Sequence, residues 1–199
     1  FMNTLYLASN SPRRAELLAQ MGVIFSKLAV SVPEVREPDE APAAYVSRLA
    51  KDKSRAGSLL KPDSVVLGAD TIVVCEGQVL EKPASLVDCV EMLQLLSNNV
   101  HEVHTAVALT KGEKQIDCLV TSRVHFREIS EAEMQAYWHT GEPCDKAGSY
   151  GIQGLGGVFV SHLEGSYSGV MGLPVAQTQQ LLHTFDIPCW QVPATGENT

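Results

Sequence analysis

Long apolar runs are absent from this sequence, and that absence argues against a membrane-spanning protein. A spanning helix needs roughly 18 or more consecutive apolar residues, and every apolar stretch here is shorter. The start of the chain also lacks the charged, apolar and small-residue regions of a signal peptide. We therefore expect a cytoplasmic protein with no membrane partner.

Positive charge is scarce as well. The 199 residues include 15 lysines and arginines against 23 aspartates and glutamates, so the formal net charge is −8 at pH 7. This surplus of negative charge disfavours nucleic acid as a partner, because both molecules would be anionic. An acidic protein that binds an anionic ligand must gather its few cations at the binding site.

Cysteine and histidine show no metal-site or disulfide pattern. The five cysteines are scattered, odd in number and contain no Cys-x-x-Cys pair, which is typical of reduced thiols. Cys75, Cys89 and Cys118 lie in apolar periodic segments, and we expect them to be small core residues. His101 and His104 are three residues apart on a predicted strand, so they face opposite sides and make a poor metal pair.

The two common glycine-rich nucleotide loops are missing. Residues 141–157 contain six glycines among seventeen residues, but they match neither the P-loop nor the dinucleotide Gly-x-Gly-x-x-Gly pattern. A loop of this composition either bends sharply or lets backbone come close to a ligand. It also carries three polar side chains of interest, those of Asp145, Lys146 and Gln153.

Internal repeats and long linkers are also absent, so we expect a single domain over residues 2–190. The polar segment 191–199 is expected to be a disordered tail.

What is present is an alternation of strand and helix patterns, which predicts a mixed α/β fold. Ser11 as N-cap, Pro12 at the first helical position and Gly22 after the last turn frame the first helix. Ser130 and Glu133 form a capping box. Strands are expected at 4–8, 23–30, 65–74, 79–83, 100–110, 115–129 and 158–163, helices at 12–21, 42–60, 86–97, 130–141 and 174–185, and a turn at 165–169.

The predicted strand 65–74 is unusual because Asp70 lies in the middle of it, among apolar and β-branched residues. An ionised carboxylate in such surroundings is unfavourable unless cations, a metal or hydrogen bonds compensate it. Gly68 and Ala69 leave the neighbouring backbone uncovered, so another group could approach closely. The alternative is a strand-end aspartate that caps a turn.

The first predicted helix combines an anion-binding geometry with two arginines. A serine-rich turn containing Ser9 and Ser11 leads into its N-terminus, where backbone N–H groups and the helix dipole favour anions. Arg13 and Arg14 stand in the first turn, where the dipole would prefer acidic residues, and this suggests an anionic ligand. The alternative is that both guanidinium groups are simply solvated.

The helix predicted over 42–60 carries a lysine on its apolar face. Lys53 lies four residues from Leu49 and seven from Val46, so all three share one side of the helix. Its ammonium group either extends along the apolar surface to water or points into a cleft.

Together these positions form a chemically consistent set. Cations that bind phosphate oxygens, with carboxylates that hold a divalent metal and activate water, describe hydrolysis of a phosphoanhydride. The cations are Arg13, Arg14, Lys53, Lys82 and Lys146, and the carboxylates are Glu34, Asp70 and Asp145.

At these residues the sequence resembles the Maf family of nucleoside triphosphate pyrophosphatases. The resemblance covers Thr4 to Phe185 and follows the family's order of motifs. These are Leu-Ala-Ser-Asn-Ser-Pro-Arg-Arg near the start, Glu34, the helix of Lys53, Gly-Ala-Asp-Thr at 68–71, Glu-Lys-Pro at 81–83, Asp-Lys-Ala-Gly at 145–148, Gly-Ile-Gln-Gly at 151–154 and Gly-Leu-Pro at 172–174.

The resemblance implies an α/β fold with an elongated mixed sheet, flanking helices and two lobes around a central cleft, usually in a homodimer. It implies cleavage of a nucleoside triphosphate between the α- and β-phosphates, giving the monophosphate and pyrophosphate, with a divalent metal such as Mg²⁺ or Mn²⁺. By the same resemblance Asp70 is the general base, and Glu34 with Asp70 holds the metal.

The remaining roles also come from the resemblance. Arg13, Thr71 and Gln153 look like the dTTP/UTP group, and a glutamine suits a pyrimidine edge because it offers both a donor and an acceptor. The expected phosphate ligands are Arg13, Arg14, Lys53 and Lys82, with Ser9, Ser11, Asp145 and Lys146 as further substrate contacts. Two alternatives stay open: a 7-methyl-GTP pyrophosphatase of the same family, and a nucleotide-binding regulator of septum formation that does not hydrolyse its ligand.

Overall fold

The computed structural model describes residues 3–191, through which a seven-stranded sheet runs. The strands are β1 (Leu5–Leu7), β2 (Ser26–Lys27), β3 (Val65–Cys75), β4 (Gln78–Leu80), β5 (Val100–Lys111), β6 (Lys114–Phe126) and β7 (Val160–Glu164). The helices are α1 (Pro12–Gln20), α2 (Pro42–Leu60), α3 (Leu86–Leu96), α4 (Glu131–His139), α5 (Tyr167–Met171) and α6 (Val175–Thr184). Short 3₁₀ turns occupy Glu142–Asp145, Ala147–Ser149 and Leu155–Phe159 in the glycine-rich loop.

The sheet is mixed, which confirms the predicted α/β class. Its order is β2-β1-β3-β5-β6-β7, with β4 beside the far end of β3. β1 runs parallel to both β2 and β3, and the other pairs are antiparallel. Within residues 3–191 no helix has the length and apolarity that a membrane crossing requires.

One edge of β3 is paired only at its two ends. β5 pairs with β3 along the other edge from Val66 to Val74. On the open edge, β1 pairs with residues 65–67 and β4 pairs with residues 73–75. In the described pairing, residues 68–72 therefore have no strand neighbour on that side. This leaves a gap in the sheet directly beside Asp70.

Three apolar clusters stabilise the sheet. On one face, a cluster around Leu67 and Leu109 packs under α1 and α6, and a second around Val73 and Val103 packs under α3 and α4. The third cluster lies on the opposite face, where α2 covers Ala106 and its neighbours. The two clusters on the first face lie toward opposite ends of the same long strands, so the gap in β3 falls between them.

Helix ends follow the predicted signals closely. The Ser11 hydroxyl accepts a hydrogen bond from the Arg14 backbone N–H, and Gly22 adopts a φ of +67° after α1. Ser130 and Glu133 form the predicted capping box at α4. The long helix begins at Pro42 and ends at Leu60, as its pattern predicts.

Two predicted elements are wrong. The strand expected over 23–30 is reduced to Ser26–Lys27, because β1 has only three residues and pairs with just those two at this edge. The turn expected over 165–169 contains the start of α5, because the Ser166 hydroxyl accepts the Gly169 N–H and caps a short helix.

The cysteine prediction holds in part. Cys75 and Cys89 are buried, whereas Cys118 is only half-buried, beside the first apolar cluster. The predicted tail 191–199 lies outside the described residues apart from Gln191, whose N–H donates to the Gly22 carbonyl. The domain boundary at residues 2–190 stays a prediction.

Candidate active site

The gap in β3 opens into a cleft of about 510 Å³. β1 ends at Leu7 beside the gap and leads through the serine-rich turn into α1, while β4 ends at Leu80 on the other side. The ends of these two strands therefore deliver the Ser9–Arg13 segment and the Glu-Lys-Pro segment to the same opening.

Every residue predicted for the site lines this cleft. Side chains that are far apart in sequence meet here because six segments converge: the β1–α1 turn with the start of α1, the loop before α2, the face of α2, the centre of β3, the segment after β4 and the glycine-rich loop. The twelve residues are Ser9, Ser11, Arg13, Arg14, Glu34, Lys53, Asp70, Thr71, Lys82, Asp145, Lys146 and Gln153.

Lys53 joins the two carboxylates expected to do the chemistry. Its Nζ lies 2.8 Å from Asp70 Oδ1 and 2.8 Å from Glu34 Oε1. Lys53 and Asp70 are largely buried, with side chains 15% and 13% exposed, whereas Glu34 is open to solvent. Lys53 thus points into the cleft, and Asp70 is a mid-strand carboxylate paired with a cation rather than a cap at a strand end.

The close approach predicted at Gly68 is made by a helix of the protein itself. A Cβ atom at Gly68 would lie 2.5 Å from the backbone N of Ser54 and would clash with the Ala50 carbonyl. The buried Ser54 hydroxyl fastens the same contact by donating to the Val66 carbonyl. Because α2 sits this close to β3, Lys53 reaches Asp70.

Arg14 is an internal cross-link rather than a solvated side chain. Its Nε donates to the Gly172 carbonyl at 2.8 Å, and its Nη atoms donate to Ser9 Oγ at 3.2 Å and to Thr71 Oγ1 at 3.0 Å. Burial lowers the pKa of the Arg14 guanidinium, while the charge of Asp70 opposes that shift. Thr71 is held from a second side by the Thr105 hydroxyl at 2.8 Å.

Arg13 and Lys82, unlike Arg14, make no cross-link within the described protein. Both line the cleft, Arg13 half-buried and Lys82 exposed. In the described part of the chain neither side chain has a hydrogen-bond acceptor or a carboxylate partner. In a protein with excess carboxylates, two such cations at one opening make a favourable environment for an anion.

The glycine-rich loop is held by a carboxylate that sequence reasoning missed. Glu142 accepts hydrogen bonds from the Tyr137 hydroxyl at 2.6 Å and from the N–H groups of Leu155 and Gly156 at 2.8 and 2.9 Å. Burial raises the pKa of Glu142, but these hydrogen bonds outweigh it and the net shift is downward. An acidic residue at the start of a loop rich in bare N–H groups is the signal that could have indicated this role.

The same loop carries Asp145, Lys146 and Gln153 to the cleft. Lys146 Nζ donates to Asp145 Oδ1 at 2.8 Å and to the Glu142 carbonyl at 3.0 Å, and the first contact lowers the pKa of Asp145. The Gly148 N–H donates to the Glu81 carbonyl, so the loop is tied to the segment that bears Lys82. Gln153 is exposed in the cleft.

Tyr45 is a second residue that the sequence analysis missed. It precedes Leu49 and Lys53 by four and eight residues, so a helical stripe places all three along the cleft. Burial raises the pKa of the Tyr45 hydroxyl, and the charges of Glu81 and Asp70 raise it further. The four-residue spacing from Tyr45 to Leu49 and from Leu49 to Lys53 is the sequence signal that could have identified Tyr45 as a cleft residue.

The carboxylates fit a metal that is shared with a substrate. Mg²⁺ is commonly held by one or two carboxylates together with substrate phosphates and water. Glu34 and Asp70 meet at one Lys53 ammonium, which leaves one unbalanced negative charge at that point. Within residues 3–191 no group of three or more histidine, cysteine, aspartate or glutamate side chains is arranged to hold a metal. The two carboxylates therefore fit a cation that is bound jointly with phosphate oxygens and water.

Comparison with known proteins gives strong sequence similarity over nearly the whole chain. The dTTP/UTP pyrophosphatase of Vibrio vulnificus (strain YJ016) is 52% identical over 185 residues, covering 92% of this chain and 100% of that protein. The dTTP/UTP pyrophosphatase of Saccharophagus degradans is 56% identical over 191 residues, covering 94% and 91%.

A solved structure of a nucleoside-triphosphatase / dITP/XTP pyrophosphatase from Mycobacterium abscessus aligns with a TM-score of 0.45 at 16% identity, covering 91% of this chain and 94% of that one. That score marks only a loose likeness. The family model described as Maf-like protein matches residues 4–185. With that match and relatives more than half identical to it, the chain belongs to the Maf family.

Proposed function

We propose that this protein is a nucleoside triphosphate pyrophosphatase that hydrolyses dTTP and UTP to the nucleoside monophosphate and pyrophosphate. The observation that carries the proposal is the charge arrangement of one cleft, where two carboxylates share Lys53 and the unpaired cations Arg13 and Lys82 lie nearby. A triphosphate supplies the anionic oxygens that such cations bind. The relatives' names supply the substrate class.

Water is the proposed nucleophile, and Asp70 is the proposed general base. The hydrogen bond from Lys53 uses Oδ1 of Asp70, so Oδ2 is the oxygen that accepts the proton from water. The water oxygen bonds to the α-phosphorus while the bond to the bridging oxygen breaks, and pyrophosphate leaves. A positioned general base contributes about 10²- to 10⁴-fold in rate.

The cations stabilise the charge that builds on the phosphates. Arg13, Lys82 and Lys53 are the proposed phosphate ligands, aided by the positive end of α1 beside Ser11. Arg14 is a further proposed phosphate ligand, because its guanidinium lines the cleft while it also donates to Ser9 and Thr71. Glu34 and Asp70 would hold a divalent cation, Mg²⁺ or Mn²⁺, which supplies Lewis-acid stabilisation of phosphate oxygens when bound.

Base recognition is assigned to the glycine-rich loop. Gln153 is exposed in the cleft and offers one donor and one acceptor, which matches the carbonyl and N–H of a thymine or uracil edge. Thr71 also lines the cleft and is the second residue proposed to read the base, held in place by its hydrogen bonds to Arg14 and Thr105. Lys146 and Asp145 are the proposed polar contacts beside the base.

The proposal extends to a cytoplasmic homodimer. The family resemblance supports the homodimer. The scattered cysteines, which show no disulfide pattern, support the cytoplasmic location. Light scattering behind a sizing column measures the oligomeric state, and a monomeric mass would contradict the dimer.

The function is tested by pyrophosphate release from dTTP, UTP, CTP, purine triphosphates and 7-methyl-GTP, with and without Mg²⁺. We expect dTTP and UTP to be cleaved best, only with metal, and Asp70→Asn to fold normally but lose about 10²- to 10⁴-fold in kcat. Asp63→Asn is the matched control, because Asp63 is exposed and does not line the cleft.

Wild-type turnover in Asp70→Asn would remove Asp70 from the mechanism. Preference for 7-methyl-GTP would retain the chemistry but overturn the assigned substrate. Tight nucleotide binding without pyrophosphate release would overturn the enzyme assignment in favour of a binding regulator.

A further inference from the structure

His101 is a buried polar residue in an otherwise apolar part of the core. It lies on β5, only 1% exposed, and packs edge-on against the rings of Phe126 and Tyr150, with centroids 4.9 and 5.3 Å away. Its Nε2 is 2.7 Å from the Tyr150 hydroxyl. Within residues 3–191 its Nδ1 has no hydrogen-bond partner.

The direction of this hydrogen bond follows from counting donors. The Tyr150 hydroxyl has no other described acceptor, so donating to Nε2 satisfies its proton and leaves only the N–H at Nδ1 without a partner. The opposite direction would leave the tyrosine proton unsatisfied as well. Burial, aided by the charge of His125, lowers the pKa of His101 to about 4, so at neutral pH the ring is uncharged and Nε2 can accept.

A histidine is an unfavourable choice here if packing alone matters. A phenylalanine would keep the ring contacts with Phe126 and would bury no unsatisfied N–H. The one interaction that a phenylalanine could not make is the hydrogen bond to Tyr150. The structure therefore points to that hydrogen bond as the reason for a polar ring at this position.

Tyr150 links this core contact to the cleft wall. It lines the cleft and is only 6% exposed. On one side Ser149 has a φ of +64°, a backbone conformation that is unfavourable for a residue other than glycine. On the other side the Gly151 N–H donates to Tyr137. Such a conformation persists only when neighbouring contacts hold it.

We infer that His101 is a positioning residue, which acts through Tyr150 to hold the loop carrying Lys146 and Gln153 at the cleft wall and so sets the affinity for the nucleotide. This inference rests on the proposed function for its ligand. His101 itself does not line the cleft. Its place on a central strand gives the loop a fixed anchor in the sheet.

The test is a pair of single variants and their combination. Tyr150→Phe and His101→Phe each remove the hydrogen bond and are expected to raise KM for dTTP about 3- to 10-fold, the worth of one hydrogen bond, with kcat within about twofold. The double variant replaces both partners by apolar rings, so its Tm is expected to return toward the wild-type value while KM stays raised.

Two controls separate positioning from a general loss of stability. Leu93→Val perturbs the same apolar cluster on α3, outside the cleft, and is expected to lower Tm without changing KM. His101→Gln places an amide oxygen near the Nε2 position and is expected to recover part of the affinity.

A double variant whose KM and Tm both return to wild-type values would overturn the inference, because the histidine would then be a packing residue only. So would Tyr150→Phe with unchanged KM. If the wild-type protein releases no pyrophosphate, the proposed function fails, and the same variants are compared by dTTP binding in calorimetry. Equal dissociation constants for dTTP in the wild type and the single variants would overturn the positioning role too. So would the absence of dTTP binding by the wild type.

Discussion

At the scale of single residues, Lys53 balances negative charge in the cleft. Its ammonium compensates Asp70, and both side chains are largely removed from water. Removing one partner of a buried ion pair leaves an uncompensated charge, whereas replacing both partners is often tolerated. The two members of this pair should therefore respond differently to substitution.

We predict that Lys53→Met destabilises the fold by about 3 kcal/mol, because Asp70 is left without its cation. Asp70→Asn should have little effect on stability, since Lys53 keeps its contact with Glu34. The measurement is the free energy of unfolding from urea titration, followed by pyrophosphate release. In the combined variant, stability should recover while turnover stays lost.

Equal stability of Lys53→Met and the wild type would mean that Asp70 is compensated by other means. Arg48→Met is the matched control. Arg48 lies on α2, as Lys53 does, but it pairs with Glu40 before the helix and does not line the cleft. The Arg48 side chain is more exposed than that of Lys53, 33% against 15%, and we expect no loss of turnover from its replacement.

Single residues also show the limit of what the sequence reveals. Asp70 and Arg13 could be singled out because a charge in an apolar strand or an arginine at a helix N-terminus is anomalous within its own segment. The roles of Glu142 and His101 depend on partners 14 and 49 residues away. An acidic residue at the start of a glycine-rich loop hints at the role of Glu142, but no local pattern names the partner of either residue, so only the folded chain identifies the two pairs.

At the scale of elements, the contact between α2 and β3 places Lys53 against Asp70. Gly68 allows this contact, because the Ala50 carbonyl and the Ser54 backbone occupy the space of a Cβ. Backbone atoms cannot move aside as a flexible side chain can. The distance between the helix and the strand therefore depends on the absence of a side chain at this position.

We predict that Gly68→Ala lowers the free energy of unfolding by about 1–3 kcal/mol, the usual range for overpacking, and also lowers kcat. The helix must shift outward, and Lys53 then loses its 2.8 Å contact with Asp70. Gly57→Ala is the control in the same interface, because its added Cβ would meet side-chain atoms of Val66, Leu28 and Ala8 and no backbone atom. A Gly68→Ala protein with the kcat of Gly57→Ala would contradict this account.

Most elements could be predicted because their signals are local. The Ser11 and Ser130 caps, Pro42 and the β-branched run of β3 each act within a few residues, and the structure confirms them. The short pairing of β2 could not be predicted, because it is limited by the length of β1 rather than by its own sequence.

At the scale of the whole molecule, the cleft is a consequence of strand register. β3 is longer than its two neighbours on one edge, so β1 and β4 leave residues 68–72 open between them. Periodicity identifies each strand but does not state where the strands meet, so the gap could not be derived from the sequence pattern. The family resemblance alone implied a cleft.

With this architecture, the proposed nucleotide would bridge distant parts of the chain. Arg13 enters the cleft from the β1–α1 side, while Lys82 and Gln153 enter from β4 and the glycine-rich loop. A triphosphate that contacts both groups binds the folded protein and not the unfolded chain. Its binding free energy must therefore add to the stability of the fold.

We predict that dTTP with Mg²⁺ raises the Tm of the Asp70→Asn protein, in which turnover is expected to fall about 10²- to 10⁴-fold so that most nucleotide stays intact. At a ligand concentration of about 100 times Kd the stabilisation is about 2.7 kcal/mol, which corresponds to a rise of roughly 5–10 °C for a chain of this size. Adding Lys82→Ala should reduce the rise, because a phosphate contact from the β4 side is lost. Lys27→Ala, an exposed lysine on β2 outside the cleft, should leave it unchanged. Equal rises with and without Lys82 would show that the nucleotide is held from the β1–α1 side alone, and the bridge across the gap in β3 would have to be abandoned.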